Sequence, residues 1–211
     1  MQSDLFFSMF IEQPPTWFRR LMYQDSLWRL PAQPKCVYLT FDDGPTPQVT
    51  PWVLDVLARY GVKATFFCVG DNVARYRTVF EKVKAAGHRL GNHTMNHISA
   101  LTYESKAYLA NVEKANVLIQ SDLFRPPHGW LRFGQASLLQ KKYRLVMWDL
   151  VTRDYSSRLN AEEVFQNVKH YVRNGSIITF HDQPKSWHNL EEALPRSIEW
   201  LLEQGYEFRL L

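Results

Sequence analysis

Two aspartates stand side by side in a Gly-Pro turn, Asp42-Asp43-Gly44-Pro45, directly after an apolar run at residues 37–41. Adjacent carboxylates invite a division of labour, one holding a cation and the other taking a proton from water. His93 and His97 are spaced i, i+4 in HTMNH, so a helical turn would aim both imidazoles the same way. The segment lacks the glutamate of the zincin helix, which disfavours that protease class. Two histidines and one carboxylate, with Asp42 or Asp43 the nearest source, make a metal site with an open position. Zinc is the first expectation, and the same donors suit non-haem iron. A nearby arginine would keep the second carboxylate ionised. His181 is a candidate general acid, tuned by an aspartate. These parts describe metal-assisted hydrolysis of an acyl bond.

Such residues must be carried to one place. Apolar runs of strand length at residues 37–41, 64–69, 89–91, 123–125, 144–149, 176–180 and 207–210 alternate with helix-length amphipathic segments. Several of those segments end in glycine (Gly61, Gly87, Gly175, Gly205), the usual left-handed stop. Strand–helix repetition implies parallel β/α units. Seven strands fall one short of an eightfold barrel. The expected fold is therefore α/β, a distorted or incomplete (β/α) barrel of about seven parallel strands. A doubly wound sheet is the alternative, but the first turn lacks the dinucleotide glycine fingerprint. In a parallel barrel the carboxyl ends of the strands share one rim. Asp42 and Asp43, His93 and His97, Arg125 and His128, Asp149 and Asp154, and His181 all follow strand-like runs and converge on that rim.

The chain has 211 residues and ordinary globular composition, 45% hydrophobic and 22% charged, which argues against disorder or a fibrous repeat. Its net charge of +4 is spread along the chain rather than clustered, which disfavours a nucleic-acid partner. Cys36 and Cys68 lie in apolar runs and are expected to be buried and reduced. The aromatic share of 14% suits a large core or a groove that stacks flat ligands. Residues 1–34 read as an N-terminal segment that caps the domain, and 35–211 as one catalytic domain. A membrane-surface amphipathic helix around Trp17, Phe18 and Trp28 is the less favoured alternative. The short apolar run at the start carries Asp4 and breaks at Pro14-Pro15, unlike a secretory signal, so cytoplasmic retention is the default expectation.

TFDDGP (residues 40–45), HTMNH (93–97), RPPHG (125–129), WDLVTRDY (148–155) and IITFHD (177–182) resemble the five ordered motifs of the polysaccharide deacetylases, carbohydrate esterase family four. The resemblance spans roughly residues 36–182 and itself implies a distorted (β/α) barrel. It implies that Asp43, His93 and His97 hold a divalent metal, zinc first, with Co2+, Ni2+ or Fe2+ as alternatives. It makes Asp42 the catalytic base tethered by Arg125, and His181 the general acid tuned by Asp154. The backbone N–H of His128 would hold the oxyanion, and Pro127, Trp148, Tyr155 and Thr179 would face the substrate. The implied reaction removes an N-acetyl group from a carbohydrate. An O-deacetylase and an inactive carbohydrate-binding relative are the alternatives.

Three positions depart from the family pattern. His128 replaces a Tyr or Phe, Tyr155 stands where Trp is common, and Thr179 replaces a Leu that lines the acetyl pocket. None removes a catalytic group, so they bear on the identity of the sugar. His88, His170 and His188 have no motif support and read as structural or exposed. Trp187, with Trp148 and Tyr155, is a candidate for stacking on sugar rings.

Overall fold

A computed structural model describes residues 12–23, 25–30 and 33–211. The apolar run at the start of the chain, and the expectation attached to it, lie outside the described residues.

Among the described residues the chain forms eight short strands: β1 (Cys36–Asp42), β2 (Thr65–Cys68), β3 (Arg89–Asn92), β4 (Leu123–Phe124), β5 (Arg144–Leu145), β6 (Leu150–Val151), β7 (Ile177–His181) and β8 (Glu207–Phe208). Every ladder is parallel, and seven strands run in the order β5-β4-β3-β2-β1-β7-β6, with β8 added beside β1. This is the expected distorted, incomplete barrel. The segment read as a single strand at 144–149 forms the edge strand β5 over its first two residues only, and the other edge strand, β6, begins just after it. Only four residues separate them, so the sheet must curl until its edges nearly meet.

Two features break that strand. Arg125 takes the Val146 and Met147 carbonyls through its Nε and Nη2. Leu27 bonds to the backbone on either side of Val146, from its N–H to Leu145 and from its carbonyl to Met147. The N-terminal segment thus fills the gap in the barrel wall.

Strand β1 is buried along its whole length, as a central parallel strand requires. Its odd residues Val37, Leu39 and Phe41 join the core between sheet and helices, where Phe41 stacks on Phe66 at 5.0 Å. Its even residues Thr40 and Asp42 point into the barrel, where they meet Arg125. The period-two alternation of one strand thereby separates the core from the chemistry.

The outer layer contains α2 (Thr50–Arg59), α3 (Gly70–Arg75), α4 (Arg77–Ala85), α5 (Ser105–Ile119), α6 (Phe133–Leu139), α7 (Ala161–Tyr171) and α8 (Trp187–Glu203), preceded in the chain by the short α1 (Thr16–Leu21). Cys36 and Cys68 are free and buried, as read from the sequence. Among the described residues, no helix is long and apolar enough to cross a membrane.

Candidate active site

Asp42 is the last residue of β1, and Asp43 follows with a left-handed φ of 76°, a conformation that aspartate tolerates better than most residues. The reversal sends the two neighbouring carboxylates to different partners. Arg125 Nη1 donates to Asp42 Oδ1 at 2.6 Å and to Thr40 Oγ1 at 2.8 Å. The guanidinium is fully buried and lies 4.1 Å from the Phe67 ring centroid. Its donors are met by two carbonyls, a hydroxyl and a carboxylate, the satisfaction that a buried charge requires.

Asp43 faces the histidines. Its Oδ1 lies 3.0 Å from His97 Nε2 and 3.5 Å from His93 Nε2, and its Oδ2 accepts from Gln183 Nε2 at 2.6 Å. Burial would raise the Asp43 pKa, but the hydrogen bonds from His93 and His97 outweigh it and hold the carboxyl well below the usual range. His93 donates from Nδ1 to the Arg125 carbonyl at 2.8 Å, which orients the ring with Nε2 toward Asp43, the nitrogen that would ligate a cation once it gives up its proton.

The two histidines meet without a helix. Residues 93–97 form an irregular loop in which Thr94 and His97 have positive φ, so the i, i+4 helical turn expected from the spacing does not form. The loop is pinned instead. Asn111 of α5 accepts from Met95 N, while Gly70 N and Asp71 N at the start of α3 donate to the Thr94 and Met95 carbonyls.

Donor atoms of Asp43, His93 and His97 all lie within 4.8 Å of one another. Ligands about 2.0–2.1 Å from a tetrahedral ion sit roughly 3.3 Å apart, close to the two Asp43–His separations. One hard oxygen and two imidazole nitrogens suit zinc and also divalent iron, cobalt or nickel. The donor set therefore fits a divalent metal.

His181 ends β7 directly beside Asp42 in the ladder register. Its Nδ1 lies 2.7 Å from Asp154 Oδ1, and its backbone N–H donates to Asp154 Oδ2 at 2.8 Å. Burial alone would lower the His181 pKa, but the fully buried Asp154 carboxylate overrides it and pushes the pKa up to about 9.

Asp182 received no role from the sequence beyond the end of a motif, yet it organises the aspartate turn. Its Oδ1 accepts from Gly44 N at 3.1 Å, its Oδ2 from Thr50 Oγ1 at 2.5 Å, and its carbonyl from Thr46 Oγ1 at 2.8 Å. A Cβ on Gly44 would fall 2.0 Å from Asp182 Oδ2, so the turn needs glycine to admit this carboxylate. Burial raises the Asp182 pKa to about 7.

These groups open into one cleft of about 980 Å³, lined by Asp42, Asp43, His93, His97 and His181 together with Trp148, Tyr155 and Thr179. The Tyr155 ring stands edge-on to His181 at 4.8 Å, and Thr179 Oγ1 lies 3.1 Å from Thr40 Oγ1. His128 has a left-handed φ of 60° in the 3₁₀ turn Pro127–Gly129, and its ring lies 4.9 Å from that of His97.

Other expected positions fall elsewhere. Pro127 is buried, and the cleft is lined by Pro126 and His128 on either side of it. Asp149 lies behind the rim, fully buried, where Arg19, Arg173 and Ser176 donate to its carboxylate. Trp187 packs on Trp52 at 5.0 Å in the outer core and does not line the cleft. His88 is buried and accepts from Ala64 N, with burial lowering its pKa to about 4. The cleft wall also contains Pro14, Trp17, Phe18, Trp28 and Trp130. None of these was expected at the site; for Trp17, Phe18 and Trp28, aromatic clustering before residue 30 was the available signal.

A family described as polysaccharide deacetylase matches residues 29–145. The chain is 31% identical to a peptidoglycan-N-acetylglucosamine deacetylase of Bacillus cereus, over 86% of this chain and 88% of that one. It is 35% identical to a chitooligosaccharide deacetylase of a Bradyrhizobium strain, over 70% of this chain and 71% of the other. Among solved structures, the Bc1960 peptidoglycan N-acetylglucosamine deacetylase superposes with a TM-score of 0.82 at 28% identity, covering 92% of this chain and 94% of that one.

Proposed function

The chain belongs to the polysaccharide deacetylase family, and from that premise we propose that it hydrolyses N-acetyl groups from an amino sugar within an oligo- or polysaccharide, using a divalent metal. The observation that carries this reading is the sorting of two adjacent aspartates, Asp42 onto Arg125 and Asp43 onto the histidine pair, with His181 beside them.

Asp43, His93 and His97 hold the metal, zinc in the first instance. A divalent cation there supplies positive charge that polarises the amide carbonyl and makes water easier to deprotonate. Asp42, oriented by Arg125, takes the proton from the attacking water. The His128 backbone N–H donates to the oxyanion of the tetrahedral intermediate, a task that needs only the main chain. His181, oriented by Asp154 through Nδ1, protonates the departing amine nitrogen from Nε2. The products are acetate and a free amino sugar. Tyr155 and Trp148 flank the reacting sugar, and Thr179 sits at the acetyl end.

Acetate release from a panel of N-acetylhexosamine oligomers, with and without chelator, tests this. Release that chelator stops and zinc restores supports the proposal. Release from O-acetylated glycans alone would favour an O-deacetylase. Glycan binding with no release across the panel would favour an inactive carbohydrate-binding relative.

A further inference from the structure

We propose that the N-terminal segment builds a distal saccharide subsite, an aromatic wall that stacks sugar rings beyond the one that loses its acetyl group. The proposal rests on the deacetylase reading above and extends it to substrate length.

Five aromatic residues form this wall, with Trp28 buried beneath the others. Trp17 and Phe18 come from α1, Trp28 from the segment after it, Trp130 from beyond the 3₁₀ turn, and Trp148 from between β5 and β6. They contact one another edge to face in series. Trp17 meets Phe18 at 6.1 Å, Phe18 meets Trp130 at 6.1 Å and Trp28 at 6.2 Å, and Trp28 meets Trp148 at 6.4 Å. The inner end reaches the catalytic groups, because Trp148 covers the space where a Gly129 side chain would stand, next to His128. The outer end is Trp17, which lines the cleft yet stays 58% exposed.

The wall is anchored rather than loosely draped. Arg19, buried beside Phe18, donates to the carboxylate and carbonyl of Asp149 and to the Pro14 carbonyl. Tyr23 Oη donates to the Leu131 carbonyl at 2.7 Å and accepts from Leu131 N at 2.6 Å, which ties the segment to the loop that carries Trp130. Preorganised rings lose little freedom on binding. Trp17, Phe18 and Trp28 all precede residue 29, where the family match begins.

The facing side of the cleft selects the occupant. The aromatic wall stands at the seam between the edge strands β5 and β6, whereas α3 follows β2 in the middle of the sheet order. Asp71, Asn72 and Arg75 of α3, together with Asn96, therefore line the opposite part of the cleft. A pyranose ring has an apolar C–H face for stacking and a rim of hydroxyls for hydrogen bonding, matching an aromatic wall opposite a polar one. An acyl or polyprenyl chain would bury those polar side chains against hydrocarbon, which is unfavourable. The volume of about 980 Å³ stands at the upper end of the roughly 300–1,000 Å³ range of ligand pockets, leaving room beyond a single ring.

The test measures binding of N-acetylglucosamine oligomers of one to five units by calorimetry in the presence of chelator, so that affinity is read without turnover. Acetate release is measured separately with metal. For the unaltered protein, affinity should rise about 10-fold or more between one unit and five. Trp17→Ala should weaken the pentamer roughly 5–10-fold, the scale of a lost aromatic contact, and leave the monomer unchanged. Trp17→Phe should recover most of the loss. In turnover the Trp17→Ala change should appear in KM for the pentamer, with kcat preserved. Affinity independent of length, or a length dependence that survives Trp17→Ala, overturns the subsite. So does Trp17-dependent binding seen only with polyprenyl-linked sugar. Trp17-dependent, length-dependent binding without any acetate release would leave the subsite standing and overturn the deacetylase reading alone.

Discussion

Replacing Asp154 by Asn separates the charge of this residue from its shape. The carboxylate is fully buried and bonds His181 twice, to the ring and to the backbone N–H. It is the main reason that the His181 pKa reaches about 9 when burial alone would lower it. Without that charge the value should fall to about the ordinary 6.5, with Asp42 and Asp43 still opposing burial. At pH 8 about 90% of the imidazole carries its proton in the unaltered protein and roughly 3% in Asp154→Asn, a loss of about 30-fold in the active form. At pH 6 the corresponding loss is below about 1.5-fold. A cation at the neighbouring cluster acts on both proteins, so the contrast between the two pH values carries the test.

Stability should move the opposite way. A histidine whose folded pKa exceeds its unfolded value contributes stability that is fully present below about 6.5 and is lost as pH rises through about 9. The contribution is about 3 kcal/mol at its fullest. The Tm gap between the two proteins should therefore be widest near pH 6 and close toward pH 10. Rates of acetate release across pH 5.5–9, paired with thermal melts, read both effects. A loss of activity of equal size at every pH would refute the electrostatic account and leave Asp154 as an orienting group only.

Asp42→Asn should abolish turnover while metal stays bound, measured by elemental analysis after gel filtration; loss of the metal would mean that the two aspartates have exchanged roles. Gly44→Ala should destabilise the fold by about 1–3 kcal/mol through the clash with the Asp182 carboxylate, and Asp182→Ala in the same chain should recover part of the loss, read by urea unfolding. Arg19→Ala leaves Asp149 paired with Arg173, so the global Tm should fall by less than would follow from stranding a buried charge. The loosened N-terminal segment should then be cut sooner by protease, with first cleavage between residues 12 and 30; an unchanged cleavage pattern would show that Arg19 is not its anchor.

Much of the site is legible in the sequence because it falls at strand ends. Asp42, His93, Arg125 and His181 each end an apolar run or follow it at once, and parallel strands deliver such positions to one rim. The misreadings have specific physical causes. The His93–His97 spacing suggested a helix, but Asn111 and the start of α3 offered the loop other hydrogen-bond partners. The segment at 144–149 looked like one strand, but Arg125 claims its carbonyls and Leu27 inserts beside Val146. Asp149 looked like a rim residue, but Arg19 and Arg173 draw it behind the rim.

By itself the sequence determined the parallel β/α architecture and the residue types at each strand end, because period-two and period-3.6 patterning and local turn chemistry are short-range properties. Residue types and spacing left open which of two adjacent aspartates meets the histidines, a choice that only the family resemblance supplied; the left-handed turn at Asp43 makes it physically, supported by Asp182 at the end of the neighbouring strand β7. Nor could it show that aromatic residues near position 17 stand over a site built from residues 42–181. That contact depends on Arg19 reaching Asp149, Tyr23 reaching Leu131 and Leu27 reaching Val146, pairings across more than a hundred residues. Local patterning carries no record of such pairings, and only the folded chain brings them together.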